Sequence, residues 1–182
     1  MSASSSPYGP DSPYGPASPY GPDSPYRPAS PYRPDAPHGP DAHASVVVAR
    51  DDSGNVAVLN APFPQHGGAY LFLPGGRQES GETPLECAQR ELREEAGVSA
   101  RSWAPLGSYV ITLTGSARLS LHLAEGLTLG SQQLTGTEQD FELAWWPLDE
   151  AISAGAEGRF LLPGGPLALL LAERLIARRQ AV

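Results

Sequence analysis

The chain has 182 residues, a formal net charge of −8 and hydrophobic residues at 40% of its positions. This acidic balance argues against a nucleic-acid-binding protein, because such proteins present a basic surface to the phosphate backbone. The single cysteine, Cys87, excludes an intrachain disulfide, and no apolar run approaches the length of a membrane span. These features predict a soluble, cytoplasmic protein with no membrane partner.

Residues 1–43 form a proline- and tyrosine-rich segment built on a hexapeptide repeat, SPYGPD and its variants. Twelve of the 20 prolines and five of the seven tyrosines lie here. Proline removes backbone donors, and no large aliphatic side chain follows Met1, so this segment cannot bury a core. We predict a disordered tail with polyproline II character that lacks the long apolar stretch of a secretory signal. Two interpretations stay open, an inert tail and a proline-rich motif that docks on an aromatic groove of a partner.

Residues 44–181 have the length of one compact domain. Patterns of apolar and turn-forming residues predict strands over 45–50, 56–60 and 69–73, with a proline- and glycine-rich loop over 61–68. Further along, they predict strands over 103–114, 118–124 and 143–146, then a brief helix. A last helix over 167–179 is expected to bury its apolar side chains, Leu167, Leu170, Leu171, Leu175 and Ile176.

A helix is predicted between the third and fourth of these strands. Thr83 is a suitable N-cap, Pro84 suits the first helical position, and Glu86 completes a capping box. Gly97 is a suitable C-terminal glycine. The helix therefore covers residues 84–96, with a buried face expected at Leu85, Ala88, Leu92 and Ala96.

Three glutamates of this helix lie close enough to share a ligand. Glu91, Glu94 and Glu95 are spaced three or four residues apart or adjacent, so their carboxylates can converge, and uncompensated they repel one another. A divalent cation removes that repulsion, and carboxylate oxygens suit hard ions such as Mg²⁺ or Mn²⁺. Arg90 is placed to orient a carboxylate. The glycines that precede the helix, at 75 and 76, would let backbone carbonyls approach a metal.

These residues fall into one spaced motif of nine positions between Gly76 and Val98. The motif reads Gly76, Glu82, Arg90-Glu91-Leu92, Glu94-Glu95 and Gly97-Val98. Every position of the Nudix box is filled, so the chain resembles the Nudix hydrolases. The resemblance implies an α/β fold, the Nudix α/β/α sandwich with a mixed β-sheet between helices. It also implies hydrolysis of a phosphoanhydride in a nucleoside diphosphate linked to another moiety.

The resemblance also assigns roles. It places the metal ligands, for one to three ions, on the Gly75 carbonyl and on Glu91, Glu94 and Glu95. It gives Gly76 and Glu82 the support of the loop, and Arg90 a place in the catalytic set. The general base stays open between the box glutamates, such as Glu94 and Glu95, and Glu138 on a later loop.

The substrate class follows from weaker motifs outside the box. Segments 103–109, 119–124 and 140–150 resemble the ADP-ribose pyrophosphatase branch of the family, which implies ADP-ribose or a nucleoside diphosphate sugar as substrate and Arg118 as a substrate-binding residue. Where that branch carries a proline and a glutamate, the chain has Thr112 and Ala117, so related substrates stay open. The alternatives are a nucleoside triphosphate pyrophosphatase that sanitises the nucleotide pool, a non-catalytic ligand sensor, and a scaffold centred on the tail. A homodimer also stays open.

Overall fold

The structure, a computed structural model, describes residues 42–181, so nearly all of the predicted disordered tail lies outside the described residues. The described part contains seven strands and three helices. The strands are β1 (Ala44–Ala49), β2 (Asn55–Phe63), β3 (Gly68–Phe72), β4 (Gly75–Arg77), β5 (Val98–Val110), β6 (Arg118–Leu129) and β7 (Glu142–Pro147). The helices are α1 (Pro84–Ala96), α2 (Leu148–Ala156) and α3 (Gly164–Gln180).

The strands divide between two sheets. The larger has the order β4-β1-β6-β5, in which β1 and β6 are parallel and the other two pairs antiparallel. The smaller is antiparallel, with the order β3-β2-β7. The mixed sheet expected from the sequence is therefore present, and part of the predicted strand set forms a second sheet beside it.

Two hydrophobic clusters cover opposite faces of the larger sheet. Val47 belongs to one cluster and Val48 to the other, because side chains alternate along β1. Helix α1 packs against the Val47 face, whereas α2 and α3 pack against the Val48 face. Trp145 and Trp146 join opposite clusters, as the alternation along β7 predicts. The layers are thus helix, sheet and helix.

Helix α1 has the bounds that its capping residues predict. The Thr83 hydroxyl accepts a hydrogen bond from the Glu86 amide at 3.3 Å, and the Glu86 carboxylate accepts one from the Thr83 amide at 2.8 Å. The prediction that Leu85 is buried is wrong, because its side chain is 38% exposed. The buried stripe instead includes Cys87, so Leu85, three residues before Ala88, lies at its edge.

Long-range pairing changes several other boundaries. Strand β2 continues through Phe63, which was predicted to lie in a loop, because it pairs with β3 up to the Phe63–Gly68 pair. Strands β5 and β6 extend to the Val98–Leu129 pair. The unpredicted strand β4 forms because Gly76 pairs with Ser45 on β1. Helix α3 buries Ala168, Leu169 and Ala172, while the expected core residues Leu167 and Leu170 are exposed.

The segment after β6 is held against the C-terminal end of α1. The Gly130 amide donates to the Gly97 carbonyl at 2.6 Å, and the Gln133 amide donates to the Glu94 carbonyl at 2.7 Å. The Gln132 side chain donates to the Glu95 carbonyl at 2.6 Å. The helix end and the later loop therefore form one unit, which positions the residues of that loop relative to the glutamates of α1.

Gly97→Ala is expected to destabilise the domain by about 3 kcal/mol. Gly97 has φ +66°, and a Cβ there would lie 2.6 Å from the Ser131 carbonyl carbon, so strain and overpacking add. Gly81→Ala is the matched control, because Gly81 has φ +87° but open space around it, and should cost about 1 kcal/mol. Denaturant unfolding measures both. Equal losses of stability in the two variants would show that the close approach of Gly97 to Ser131 adds no cost to the substitution.

Deleting residues 1–41 is expected to leave the melting temperature unchanged within error, because the repeats carry no core-forming side chains. Deleting residues 1–43 should lower it, since the His43 carbonyl accepts from the Gln78 amide at 3.0 Å and His43 Nδ1 accepts from the Arg118 amide at 3.2 Å. Thermal unfolding of both truncations checks this. A loss of several degrees in the shorter deletion would mean that the repeats dock on the domain.

Candidate functional site

Arg90 is the centre of a polar network at the start of α1. Its Nε donates to Glu82 at 2.7 Å, and its Nη1 donates to Glu91 at 2.9 Å and to Glu94 at 3.2 Å. Its Nη2 donates to the Arg77 carbonyl at 2.9 Å and to Glu82 at 3.1 Å. These contacts raise the pKa of Arg90, with Glu82 the largest cause, and the Arg90 contact lowers the pKa of Glu82. One guanidinium thus joins the loop before the helix to two glutamates on it.

Two of the box glutamates are buried. Glu91 is 7% and Glu95 4% exposed. Burial raises the pKa of Glu91, against the opposing effect of Arg90, and raises the pKa of Glu95 to about 8. The hydrogen bond from the Gly75 amide opposes the shift at Glu95, whereas the charges of Glu91, Glu138 and Glu94 add to it. Both carboxyl groups therefore resist ionisation unless a positive charge in addition to Arg90 offsets it.

The two glycines before α1 are required by close packing. A Cβ on Gly76 would overlap the Glu91 carboxylate, and one on Gly75 would overlap the Ser45 carbonyl. The Gly75 amide donates to the Glu95 carboxylate at 2.8 Å, which fixes the end of that side chain. Strand β4 is thereby held within contact of the carboxylates on α1, while metal ligation by the Gly75 carbonyl stays a prediction.

Glu138 lies on the 3₁₀ turn Gly136–Glu138, in the segment that follows the loop held on α1. Its carboxylate accepts a hydrogen bond from the Thr135 amide at 3.2 Å. The charge of Glu138 raises the pKa of both Glu91 and Glu95, so it acts on the same region of space. The loop before Glu138 is fixed to the end of α1, since the Gln133 amide donates to the Glu94 carbonyl at 2.7 Å.

A cavity of about 410 Å³ adjoins this carboxylate cluster. Gly75 and Glu95 form one border. Its walls include Phe63, Phe72 and Phe141, which sequence reasoning missed. The sequence did contain a signal, since Phe63 ends β2, Phe72 ends β3 and Phe141 directly precedes β7. The volume lies within the range of about 300–1,000 Å³ that is usual for small-molecule sites.

Arg118, which was predicted to bind substrate, is the first residue of β6. Its Nε donates to the Ser108 hydroxyl at 3.2 Å, and its side chain is exposed. The adjacent residue Leu119 borders the cavity, and alternation along β6 places Arg118 on the other face of the sheet, which is the face against which α1 packs. A role of Arg118 in substrate binding stays a prediction. Thr112 is partly exposed, and Ala117 is buried, so a glutamate at position 117 would bury a charge.

The donor set fits a hard divalent cation in its chemistry. The oxygens of Glu91, Glu94, Glu95 and the Gly75 carbonyl are the ligand type that Mg²⁺ and Mn²⁺ prefer. Buried carboxylates with raised pKa values also favour a bound cation. Within residues 42–181, no three acidic, histidine or cysteine side chains converge on a ready-made ion site. Arg90, and not a shared central point, organises Glu91 and Glu94.

Comparisons with known proteins agree with this geometry. The family model for the NUDIX domain matches residues 39–162. The ADP-ribose pyrophosphatase of Mycobacterium tuberculosis (strain ATCC 25618 / H37Rv) is 35% identical over 112 residues, which cover 59% of this chain and 54% of that protein. An 8-oxo-dGTP diphosphatase of Proteus vulgaris is 38% identical over 56 residues, 31% of this chain and 50% of that protein. The chain thus spans about half the length of these curated relatives.

Solved structures show the same fold. The crystal structure of an ADP compounds hydrolase superposes with a TM-score of 0.66 at 22% identity, covering 78% of this chain and 76% of that one. A MutT structure, from work on Aliivibrio salmonicida and Vibrio cholerae, gives a TM-score of 0.56 at 18% identity, covering 74% of this chain and 98% of that one. These similarities confirm the mixed α/β fold expected from the box.

The fold and the carboxylate-bearing helix together define an α/β domain built around a glycine turn and an acidic helix face. The chain belongs to the Nudix family, because the family model matches more than half of its length. Members of this family generally use a divalent cation such as Mg²⁺ or Mn²⁺. The described part of the chain has no helix that is long and apolar enough to cross a bilayer.

Cys87 is expected to resist thiol reagents in the folded protein. Its side chain is fully buried, its Sγ donates to the Gly76 carbonyl at 3.5 Å, and burial raises the pKa of the thiol to about 11. Alkylation at pH 8 should therefore be at least about a hundredfold slower in native than in unfolded protein. Mass spectrometry of iodoacetamide adducts measures the ratio. Rapid native labelling would contradict the role of Cys87 as a packing residue.

Proposed function

We propose that this chain is a metal-dependent hydrolase that cleaves the phosphoanhydride of a nucleoside diphosphate linked to another moiety. ADP-ribose or a nucleoside diphosphate sugar is the preferred substrate class. The observation that carries the proposal is the position of Glu91 and Glu95. Both carboxylates are buried beside the Gly75 turn, and Glu95 borders a cavity large enough for a small ligand. The similarity to an ADP-ribose pyrophosphatase over 112 residues supports the substrate class.

The cation would be held by Glu91, Glu94, Glu95 and the Gly75 carbonyl. When bound, Mg²⁺ or Mn²⁺ supplies neutralisation of the diphosphate charge and acidification of a coordinated water. The protein itself contributes by fixing the positions of these carboxylates. Arg90 holds Glu91 and Glu94 by hydrogen bonds, and the Gly75 amide holds Glu95. Fixed carboxylates need no rearrangement when the substrate arrives, which favours catalysis by positioning.

The general base is assigned to Glu138. Glu91 and Glu94 accept hydrogen bonds from Arg90, and Glu95 accepts one from Gly75, so those three carboxylates are engaged in positioning. Glu138 lies outside the Arg90 network of the described residues, since its carboxylate accepts from the Thr135 amide at 3.2 Å, and its charge acts on Glu91 and Glu95. It would accept the proton of the attacking water. Hydrolysis then gives a nucleoside monophosphate and a phosphorylated second product.

A second candidate function is the sanitising of oxidised nucleoside triphosphates. It rests on similarity to 8-oxo-dGTP diphosphatases, of Proteus vulgaris at 38% identity and of Escherichia coli (strain K12) at 30%, over 56 and 60 residues. These matches cover about a third of the chain, against 59% for the ADP-ribose pyrophosphatase. A non-catalytic sensor is disfavoured because every position of the box is filled. The cytoplasmic location, a homodimer and a partner for the tail stay predictions.

A substrate panel separates these functions. With Mg²⁺ present, kcat/KM is measured for ADP-ribose, nucleoside diphosphate sugars, dinucleoside polyphosphates, nucleoside triphosphates and 8-oxo-dGTP. The proposal expects ADP-ribose or a nucleoside diphosphate sugar to lead. A tenfold lead for 8-oxo-dGTP, about 1.4 kcal/mol in transition-state binding, would assign the sanitising function instead. No turnover of any compound would favour the sensor.

Glu91→Gln and Glu95→Gln are each expected to lower turnover by at least about a hundredfold, because each removes a charged ligand while keeping the side-chain shape. Glu86→Gln is the matched control on the same helix, since Glu86 is exposed and bonds to Thr83. Steady-state rates under saturating Mg²⁺ test this, with thermal unfolding to show that the variants fold. Near-normal rates in both variants would remove Glu91 and Glu95 from the catalytic set.

Glu138→Gln is expected to lower kcat by about a hundredfold without a comparable change in KM, as loss of a general base predicts. Glu142→Gln is the control, because Glu142 is an exposed carboxylate four residues further along. Rates measured from pH 6 to 10 extend the test, since hydroxide should partly replace the missing base at high pH. An unchanged kcat would return the role to one of the box glutamates.

A further inference from the structure

The last turn of α1 is capped by the loop that follows β6. The final carbonyls of a helix have no partner within the helix and must find one outside it. The Glu94 carbonyl accepts from the Gln133 amide at 2.7 Å, and the Glu95 carbonyl accepts from the Gln132 side chain at 2.6 Å. Both carbonyls belong to residues whose carboxylates are proposed cation ligands. The loop therefore holds the turn of the helix that carries these carboxylates.

One of these contacts depends on the identity of a side chain. The bonds from Gly130 to Gly97 and from Gln133 to Glu94 use main-chain amides, which every residue except proline provides. The bond to the Glu95 carbonyl comes from Nε2 of the half-buried Gln132, so it needs a side-chain donor of sufficient length. Substitution of Gln132 can therefore remove this bond and leave the two main-chain bonds in place.

The capping loop leads within a few residues to Glu138. The Glu138 amide donates to the Thr135 carbonyl at 3.0 Å, and its carboxylate accepts from the Thr135 amide at 3.2 Å. Beyond it, the Phe141 amide donates to the Glu138 carbonyl at 2.8 Å, and the Phe141 ring packs 4.7 Å from the Phe72 ring of β3. Glu138 thus lies between two attachments, one at the end of α1 and one on the smaller sheet.

A general base depends on such attachments. It must come within hydrogen-bond reach of the proton that it removes, and a displacement of about 1 Å can cost about a hundredfold in rate. The proposed base and the proposed cation ligands lie on different elements, which are the 3₁₀ turn and α1. Their separation is therefore set by the segment that joins the two elements, and Gln132 belongs to that segment.

We propose that Gln132 is a positioning residue, which caps the Glu95 carbonyl and thereby fixes Glu138 relative to the cation ligands on α1. This inference rests on the proposed function, in which Glu138 is the general base. The Gln132 amide group is engaged by the main chain of α1, so its influence on hydrolysis passes through Glu138. The loss of Gln132 should consequently matter only while Glu138 is present.

The first test is a double-mutant cycle in the full-length protein, with saturating Mg²⁺ and the leading substrate of the panel. Gln132→Met keeps the length of the side chain without the donor and should lower kcat at least about tenfold, with KM within about twofold. In the Glu138→Gln protein, the same substitution should lower kcat by less than about twofold, because the group that Gln132 positions is already lost. Gln132→Lys, which still donates to a helix C-terminal carbonyl, should keep kcat within about threefold of the wild-type value.

Gln133→Met is the matched control, because the Gln133 side chain is exposed and its bond to Glu94 uses the main-chain amide. This control should keep kcat within about twofold of the wild-type value. Melting temperatures identify a variant that fails to fold, and Gln132→Ala replaces Gln132→Met in that case. A tenfold loss that recurs in the Glu138→Gln protein, or equal losses in the Gln132 and Gln133 variants, would overturn the proposal.

Amide hydrogen exchange tests the attachment without turnover. Gln132→Met should speed exchange of the Gly130 and Gln133 amides at least about fivefold, while amides at the centre of α1 keep their rates. Unchanged exchange at Gly130 and Gln133 would overturn the proposal even if kcat fell. If the wild-type protein hydrolysed no compound of the panel, the proposed function would fail, and the exchange rates alone would decide whether Gln132 attaches the loop to α1.

Discussion

The arrangement of the candidate site depends on the guanidinium of Arg90. It donates five hydrogen bonds to oxygen, which go to Glu82, Glu91, Glu94 and the Arg77 carbonyl. A lysine could not reproduce this set, because its ammonium group has no planar fork. The network ties the segment before α1 to the helix itself. Without it, the acidic face of α1 would present several carboxylates with no cation to offset their repulsion.

The network also explains why the box glutamates are not equivalent. Glu91 is buried but bonded to Arg90, whereas Glu95 is buried with a neutral donor, the Gly75 amide. The pKa of Glu95 is consequently raised to about 8, and burial is its largest cause. Groups held at such a cost usually mark a functional site, because packing alone would favour an apolar residue. The domain thus holds unfavourable electrostatics at a place where a bound cation would offset the carboxylate charges.

Helix α1 and the positions of its glutamates were predictable from short-range features of the sequence. The capping box at Thr83 and the glycine at 97 set the bounds of α1, and the spacing of the glutamates placed them on one side of it. Strand ends were less predictable, since β4 exists only because Gly76 pairs with Ser45, a partner 31 residues away. The exposure of Leu85 was also missed, because periodicity predicts which side of a helix is buried but not how far the buried stripe extends. Arg118 was assigned by resemblance alone, and its hydrogen bond to Ser108 leaves substrate binding a prediction.

The cavity wall that contains Phe63, Phe72 and Phe141 shows why the box alone does not identify the substrate. The box lies within 23 consecutive residues, so one segment of sequence specifies the charged end of the site. The apolar end is assembled from Phe63, Phe72 and Phe141, which reach one another only through the pairing of β3, β2 and β7. The charged end of the site is therefore encoded locally, whereas its apolar end is encoded through the tertiary fold. Two chains with the same box could line this cavity with different side chains, because the box does not specify the residues at the ends of β2 and β3.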